Sequence, residues 1–223
     1  MRDFCLSVFL FLALGAPAAA QDSIRGPGAD WPTYNRDLAG TRYSPLQEIN
    51  TSNVATLVPA WTYRFNREGH APISGPSHFE LFQQITPIVV KGVMYLPAGD
   101  RVVAIEPETG REIWVHELDE GIASFRGVSY WAGDGDHAPR IFFTSLRKLI
   151  ALDAATGKRV PDFGEDGVLH LQVAYSGTPT IYKNILMIGA NFFGPGELHI
   201  GPQLTDPRGQ NGNSRAFSAI PSA

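Results

Sequence analysis

Short apolar runs separated by tight turns dominate the middle of the chain. Within residues 83–114 the runs ITPIVV, VMYLP and RVVAIE are separated by Lys91-Gly92 and Gly99-Asp100, and a Pro-Glu-Thr-Gly turn then leads into EIWVHEL. Apolar runs of this length between Gly-containing turns predict four antiparallel strands. Four strands bury too little core to stand alone, so the unit is expected to have neighbours of its own kind.

Two further copies of this unit follow it. KLIALDAATGKRV at 148–160 aligns without a gap on RVVAIEPETGREI at 101–113, 47 residues earlier. A third copy starts at Tyr175, where SGTPTIYKNILMIGANF matches the first two strands and SRAFSAI the third. A period in the forties with four strands per unit predicts the blades of a β-propeller. The all-β fold is therefore expected to contain blade-like repeats at 83–118, 127–163 and 175–223.

Other segments vary this pattern. Residues 50–53 are expected to cap a short helical turn over 54–57, and residues 59–65 read as a strand with alternating faces. Trp61 and Trp114 occupy strand centres and are expected to pack between blades.

The second unit differs from the first at its outer strand. Pro161 takes the position of Trp114, and because proline cannot donate to a ladder, this strand should be irregular. Residues 167–172 are then expected to form a short strand towards the third unit, in which residues 193–213 should be a surface loop.

The first twenty residues have the pattern of a signal peptide. Arg2 precedes an apolar run at 4–14 and three alanines at 18–20, which predicts export to the periplasm or beyond, with the propeller over 21–223. Cys5 is the single cysteine, so the mature chain is expected to have no disulfide and no covalently attached haem. A net charge of -4 gives no sign of nucleic-acid binding, and the six histidines lack the spacing of a shared metal site.

Several motifs, in order, resemble the N-terminal part of the quinoprotein dehydrogenases, which use pyrroloquinoline quinone (PQQ). They are DWPTYNRDLAGTRYSPLQEINTSNVATLVPAW, AIEPETGREIW, RGVSY and ALDAATGK. Alcohol-oxidising members carry a pair of adjacent cysteines just before this motif, and RGVSYW lacks that pair. By the resemblance, the chain is therefore closer to the sugar- and polyol-oxidising branch. The resemblance implies an eight-bladed propeller with PQQ on its axis near calcium, an alcohol or sugar substrate, and a separate electron acceptor, either a quinone or a cytochrome.

The resemblance also assigns candidate cofactor-binding residues. Arg126 matches an arginine at the acidic edge of the quinone, where a guanidinium suits a carboxylate; the alternative is a surface arginine before a turn. Gln84 stands where many members have a glutamate, and it could equally be a plain strand-start residue. Ser176 matches a hydroxyl that bonds the quinone, although small hydroxyls are common at such positions. Asn191 and Glu197 are weak calcium candidates, because the family carboxylate is absent after Asn191.

The resemblance also implies which residues have no counterpart in this chain. In the family, later blades carry the catalytic aspartate, further calcium ligands and the basic residue beside the reactive carbonyl. A frameshift, a premature stop or an incomplete gene model is the interpretation preferred from the sequence. Three hypotheses stay open: a PQQ-dependent dehydrogenase that is inactive as this chain, a non-catalytic propeller that scaffolds protein partners, and an unstable fragment. Arg126 within RGVSYW favours the first, whereas Gln84 favours the second.

Overall fold

A computed structural model describes residues 28, 30–65, 84–124, 126–171, 174–175, 177–189 and 215–220. The predicted signal peptide, the loop at 193–213 and the candidates Ser176, Asn191 and Glu197 lie outside these described residues. Within them, no helix is long and apolar enough to cross a membrane.

Among the described residues, eleven strands form three antiparallel sheets in which chain order equals spatial order. The first sheet consists of β1 (Ile88–Val90), β2 (Val93–Pro97), β3 (Arg101–Ile105) and β4 (Glu112–Glu117). The second consists of β5 (Ser129–Trp131), β6 (Arg140–Ser145), β7 (Lys148–Asp153) and β8 (Val168–His170). The third has three strands, β9 (Thr180–Tyr182), β10 (Ile185–Ile188) and β11 (Arg215–Ser218).

The first strands of the three sheets contact one another, β1 against β5 and β5 against β9. Each sheet then runs outward from this common inner side, one strand after another. This is the arrangement of propeller blades, so the predicted all-β propeller class is confirmed for this part of a ring. We refer to the three sheets as blades 1, 2 and 3.

The hydrophobic core lies between the blades. One cluster of buried residues joins blades 1 and 2 and includes Tyr95, Trp114 and Phe143. A second cluster joins blades 2 and 3 and includes Phe142 and Leu186. Phe142 and Phe143 are neighbours on β6 and serve opposite clusters, because successive side chains of a strand point to opposite faces. Blade 2 is therefore buried on both faces.

Two tryptophans cover glycines in the turns of the blades. The indole of Trp61 covers Gly110 of blade 1, and that of Trp114 covers Gly157 of blade 2. Their Nε1 atoms donate to the carbonyls of Pro107 at 2.9 Å and of Ala154 at 3.0 Å. The prediction of packing between blades is confirmed for Trp114, whereas Trp61 packs on blade 1 alone, from a segment outside the described sheets.

The outer strand of blade 2 differs in part from the prediction. Opposite β7, Arg159 forms only an isolated bridge with Leu152, and the chain turns away at Pro161, as expected of a residue without an N–H. The chain then returns as β8, which pairs with the first half of β7. The short strand predicted within residues 167–172 is thus present as β8, and its pairing with β7 makes it the fourth strand of blade 2, which the sequence did not indicate.

In the N-terminal part, the structure agrees with the predicted alternation of buried and exposed side chains but shows no paired strand there. A single 3-10 turn spans Val54–Thr56, without a side-chain cap from Asn53. In residues 59–65, Trp61, Tyr63 and Phe65 alternate with exposed residues as predicted, yet the segment joins no described sheet. Alternation reports which face is buried, whereas a ladder also requires a neighbouring strand.

Candidate cofactor-binding site

The starts of the three inner strands converge at Gly127. This glycine has a φ of 146°, and a Cβ there would lie 3.0 Å from the carbonyl oxygen of Thr86 and 3.2 Å from Oγ1 of Thr178. The N–H of Thr86 also donates to the carbonyl of Arg126 at 3.2 Å. A residue without a side chain fits here, where the carbonyl of Thr86 and the hydroxyl of Thr178 both approach the Gly127 backbone closely.

Hydroxyl groups of blade 2 fix the beginning of blade 3. Ser129 donates through Oγ to the carbonyl of Pro179, and Thr144 donates through Oγ1 to the carbonyl of Gly177 at 3.2 Å. Both hydroxyl residues are buried. Blade 3 is thereby held in register with blade 2 next to the candidate site.

A cavity of about 690 Å³ runs along β5 on this inner side. It is bounded by the N-terminal segment, by the starts of blades 1 and 2, and by the first turn of blade 3. Its polar lining includes Asn35, Asp37, Gln84, Arg126, Ser129, Tyr130, Thr178, Lys183 and Asn184. A cavity of this size can enclose a small organic molecule.

Two of the three predicted cofactor-binding residues meet in this cavity. Nη1 of Arg126 donates to Oε1 of Gln84 at 2.9 Å, although the two residues belong to different blades. Both side chains are exposed to the cavity rather than packed in the core. Ser176 lies outside the described residues, while nearby Thr178 lines the cavity.

Sequence reasoning missed Thr178. Its Oγ1 is buried and has no hydrogen-bond partner among the described residues. A buried hydroxyl of this kind is an anomaly that a bound ligand or water would resolve. The signal was available, because Thr178-Pro179 repeats Thr86-Pro87 at the start of the inner strand.

The N-terminal segment is the second missed contributor. Trp31 and Val89 exchange two backbone hydrogen bonds, at 2.7 and 3.0 Å, which place the segment beside β1. Asp37 reaches the cavity from this segment, and hydrogen bonds from the hydroxyl and the N–H of Thr41 lower the pKa of its carboxyl. No repeat-based argument places this segment, because it lies outside the blade pattern.

Burial raises the pKa of Tyr130 in the cavity wall, and the charge of Asp30 raises it further. Tyr130 is thus a neutral phenol that can donate a hydrogen bond. Together with the cationic side chains of Arg126 and Lys183, the site can bind a flat, anionic molecule. Among the described residues, no group of three His, Cys, Asp or Glu side chains could hold a metal ion.

Two known proteins are similar to this chain in sequence. The chain is 35% identical over 205 residues to the quinohemoprotein alcohol dehydrogenase of Comamonas testosteroni, covering 79% of this chain and 25% of that protein. It is 34% identical over 168 residues to quinoprotein glucose dehydrogenase A of Acinetobacter calcoaceticus, covering 65% of this chain and 20% of that protein.

Solved structures agree with these relatives. The crystal structure of the Comamonas testosteroni enzyme matches 77% of this chain and 25% of its own, with 31% identity and a TM-score of 0.52. A quinohemoprotein alcohol dehydrogenase of Pseudomonas putida HK5 matches 93% of this chain and 27% of its own at a TM-score of 0.61; at 24% identity, this likeness concerns the fold.

The chain thus spans about a fifth to a quarter of the length of the curated relatives it matches. The model of one family, described as the glucose/ethanol/alcohol dehydrogenase β-propeller domain with PQQ, matches residues 31–220. That range contains the three blades, the convergence at Gly127, and both Gln84 and Arg126. The chain therefore belongs to the PQQ-dependent glucose, ethanol and alcohol dehydrogenase β-propeller family.

Proposed function

We propose that this chain forms the N-terminal part of the PQQ site of an exported dehydrogenase, which oxidises a hydroxyl group of an alcohol, sugar or polyol. The observation that carries the proposal is the meeting of Arg126 and Gln84, from different blades, in the inner cavity. Substrate oxidation converts a CH–OH group to a carbonyl, and PQQ, when bound, supplies the acceptor for the hydride.

The residues present suit such a cofactor. Arg126 would bind one of its carboxylates, since a guanidinium can donate two parallel hydrogen bonds to a carboxylate. The hydrogen bond from Arg126 to Gln84 fixes the orientation of the guanidinium. Thr178 would use its buried hydroxyl, and Tyr130 would donate from its phenol. We assign Ser176 the role of a further hydroxyl ligand.

Three further assignments belong to the proposal. The family resemblance supports calcium beside the quinone, for which residues outside the described part, such as Asn191 and Glu197, are the weak candidates in this chain. The signal-peptide pattern of residues 1–20 supports a periplasmic or secreted location. Electrons would pass to a separate carrier, a quinone or a cytochrome.

A non-catalytic propeller is the second candidate function. The hydrogen bond between Gln84 and Arg126 favours it, because the neutral amide already satisfies one donor of the guanidinium without a cofactor. In that case the pair would serve only to join blades 1 and 2, and the chain would not bind PQQ.

Binding of PQQ separates the two candidates. Equilibrium dialysis of the 223-residue chain with PQQ should show saturable binding, and Arg126→Ala should weaken it by about tenfold or more, because a charge-assisted hydrogen bond is lost. Arg147→Ala is the matched control, since Arg147 is exposed in the turn between β6 and β7 and lies outside the cavity lining. Equal affinity of the two variants, or no binding by the unchanged chain, would contradict the proposal.

The DNA downstream of the codon for Ala223 provides an independent check. Reading it in all three frames should reveal further blades with the Thr-Gly-x-x-x-Trp pattern if this chain derives from a complete dehydrogenase gene. Unrelated sequence in every frame would favour the non-catalytic candidate.

A further inference from the structure

The inner cavity continues beyond the candidate cofactor site. Arg126 and Thr178 precede the inner strands β5 and β9, whereas Gly133 and Lys183 follow them, and all four residues line the cavity. The chain from Thr178 to Lys183 spans roughly 15 Å, because an extended chain rises about 3.3 Å per residue. The cavity therefore has a second end, which we call the far end, lined by Gly133, Lys183 and Asn184.

A buried pair of side chains, Trp131 and Arg140, supports the far end. They are 4% and 3% exposed. The guanidinium of Arg140 lies 5.5 Å from the centroid of the Trp131 ring. It also donates through Nη1 to the carbonyl of Ala219 at 3.0 Å and through Nη2 to the carboxylate of Asp162 at 2.7 Å. These contacts fix the position of Trp131, which is part of the cavity wall.

The amide of Asn184 is held in one orientation by Trp131. Its Oδ1 accepts a hydrogen bond from Nε1 of Trp131 at 3.2 Å, and its main-chain carbonyl accepts one from the N–H of Ala219 at 2.8 Å. The amide nitrogen Nδ2 has no hydrogen-bond partner among the described residues. Asn184 therefore presents an oriented amide with two unused donors.

Lys183 brings a positive charge to the same place. Its ammonium lies 5.6 Å from the centroid of the Tyr182 ring and forms no ion pair with any described residue. Blade 1 has a lysine at the corresponding turn position, Lys91, whose φ of 49° is close to the 53° of Lys183. Lys91 is also exposed but does not line the cavity. The cavity and the oriented amide therefore distinguish Lys183 from an ordinary turn lysine.

We propose that the far end binds the carboxylate of a small organic acid through Nζ of Lys183 and Nδ2 of Asn184. A carboxylate has two acceptor oxygens, one for each donor, and its hydrogen bond to an ammonium is of the strong, charge-assisted kind. The other charged residues in the described lining are Arg126, at the opposite end, and Asp37, whose carboxylate already accepts hydrogen bonds from Thr41. The proposal does not depend on PQQ binding.

The probe is gluconate, titrated into the isotopically labelled 223-residue chain at constant ionic strength, with glucose as the neutral control that lacks the carboxylate. The indole N–H of Trp131 and the side-chain amide of Asn184 report on the far end by NMR. Both signals should shift saturably with gluconate and should not shift with glucose. The response should persist in Arg126→Ala, because that substitution changes only the opposite end.

Two variants of the far end test the donors, and one variant is the matched control. Lys183→Gln keeps the length of the side chain and removes its charge, so it should weaken gluconate binding by about tenfold. Lys91→Gln makes the same change in the turn of blade 1 and should leave binding unchanged. Asn184→Asp keeps an acceptor for Trp131 but replaces the NH2 by a charged oxygen, and should weaken binding by about tenfold or more. Unchanged backbone amide signals of β6 and β7 show that each variant is folded.

Three results would overturn the proposal. In the first, gluconate leaves both signals in place, or glucose shifts them as much as gluconate does. In the second, Lys183→Gln and Lys91→Gln bind gluconate equally well. In the third, Arg126→Ala abolishes the response while Lys183→Gln retains it, which would assign the carboxylate to the opposite end.

Discussion

At the residue scale, the contact between an indole and a turn glycine joins consecutive blades. Gly157 has a φ of 70°, and a Cβ there would lie 2.5 Å from Cε3 of Trp114. Gly40 has nearly the same φ of 69°, but a Cβ there would meet only Nδ2 of Asn35, at 3.8 Å. Both glycines thus have a left-handed backbone conformation, but only Gly157 is covered by an indole ring.

We predict that Gly40→Ala lowers the free energy of unfolding by about 1 kcal/mol, the strain of a left-handed alanine. Gly157→Ala should lower it by about 2–4 kcal/mol, because displacement of Trp114 adds the cost of overpacking. Urea denaturation followed by tryptophan fluorescence measures both values. Equal losses would show that the indole contact does not stabilise the interface between blades.

His116 provides a pH-dependent contribution to the same interface. It belongs to β4 and faces blade 2, with its ring 6.5 Å from that of Phe143 on β6. Burial is the main cause that lowers the pKa of His116, and the nearby charge of Arg159 lowers it further. A hydrogen bond with the backbone of Gly157 and the charge of Asp119 act in the opposite direction without cancelling the effect. The neutral imidazole is therefore favoured in the folded state.

Because the folded pKa lies below the unfolded value of about 6.5, this contribution to stability is complete above that pH and declines as pH falls below it. We predict that, when the pH is lowered from about 7.5 to about 5, the free energy of unfolding falls less in His116→Gln than in the unchanged chain. Urea denaturation at the two pH values measures the difference. Parallel losses would assign the acid sensitivity to other groups.

At the element scale, β6 shows how one strand holds two blade interfaces. Phe143 is fully buried in the cluster between blades 1 and 2, and Phe142 is fully buried in the cluster between blades 2 and 3. The ring of Phe142 also meets Phe163 edge to face at 5.2 Å. Substitution of Phe143 should therefore loosen blade 1, and substitution of Phe142 should loosen blade 3.

We predict that Phe142→Ala and Phe143→Ala each lower the free energy of unfolding by about 3–5 kcal/mol, the range for a buried aromatic truncated to alanine. Hydrogen exchange should accelerate mainly in β9–β11 for Phe142→Ala and mainly in β1–β4 for Phe143→Ala. Uniform acceleration in both variants would mean that the three blades open as one unit and would contradict the separation of the two cores.

The elements also show where the sequence was sufficient. Every strand of blade 1 coincides with an apolar run between turns, because local alternation and turn residues determine such strands. In blade 2, Pro161 correctly indicated an irregular outer strand. The sequence did not identify β8 as its continuation, since the pairing of β8 with β7 across the intervening turn depends on tertiary contacts.

At the scale of the whole molecule, the cavity is formed by the N-terminal segment together with all three blades. Gln84, Arg126 and Thr178 border the cavity, and Asp37 is the carboxylate of its described lining; among the described residues, no group of three His, Cys, Asp or Glu side chains could hold a metal ion. The part of each relative that matches this chain is a quarter or less of that relative's length. Binding of PQQ and turnover are therefore separate questions for this chain.

We predict that the 223-residue chain, supplied with PQQ and calcium, gives no turnover with alcohols or sugars. The physical reason is that removal of the hydroxyl proton requires a positioned base, whereas hydrogen bonds from Thr41 occupy the Asp37 carboxylate in the cavity lining and lower its pKa, which makes it a weak base. Dye reduction measures turnover, and the full-length Comamonas testosteroni enzyme serves as the positive control. Measurable reduction above the Arg126→Ala background would contradict the prediction.

The sequence by itself predicted the strands of the described blades, the family, and the candidates Gln84 and Arg126. These follow from repeated local patterns, because each blade repeats the same strands and the same turn. Only the tertiary structure decided that Gln84 bonds Arg126, that Thr178 has a buried hydroxyl at the cavity, and that Trp61 covers Gly110. Such contacts join segments from different blades, and their distances depend on how the blades pack rather than on any local period.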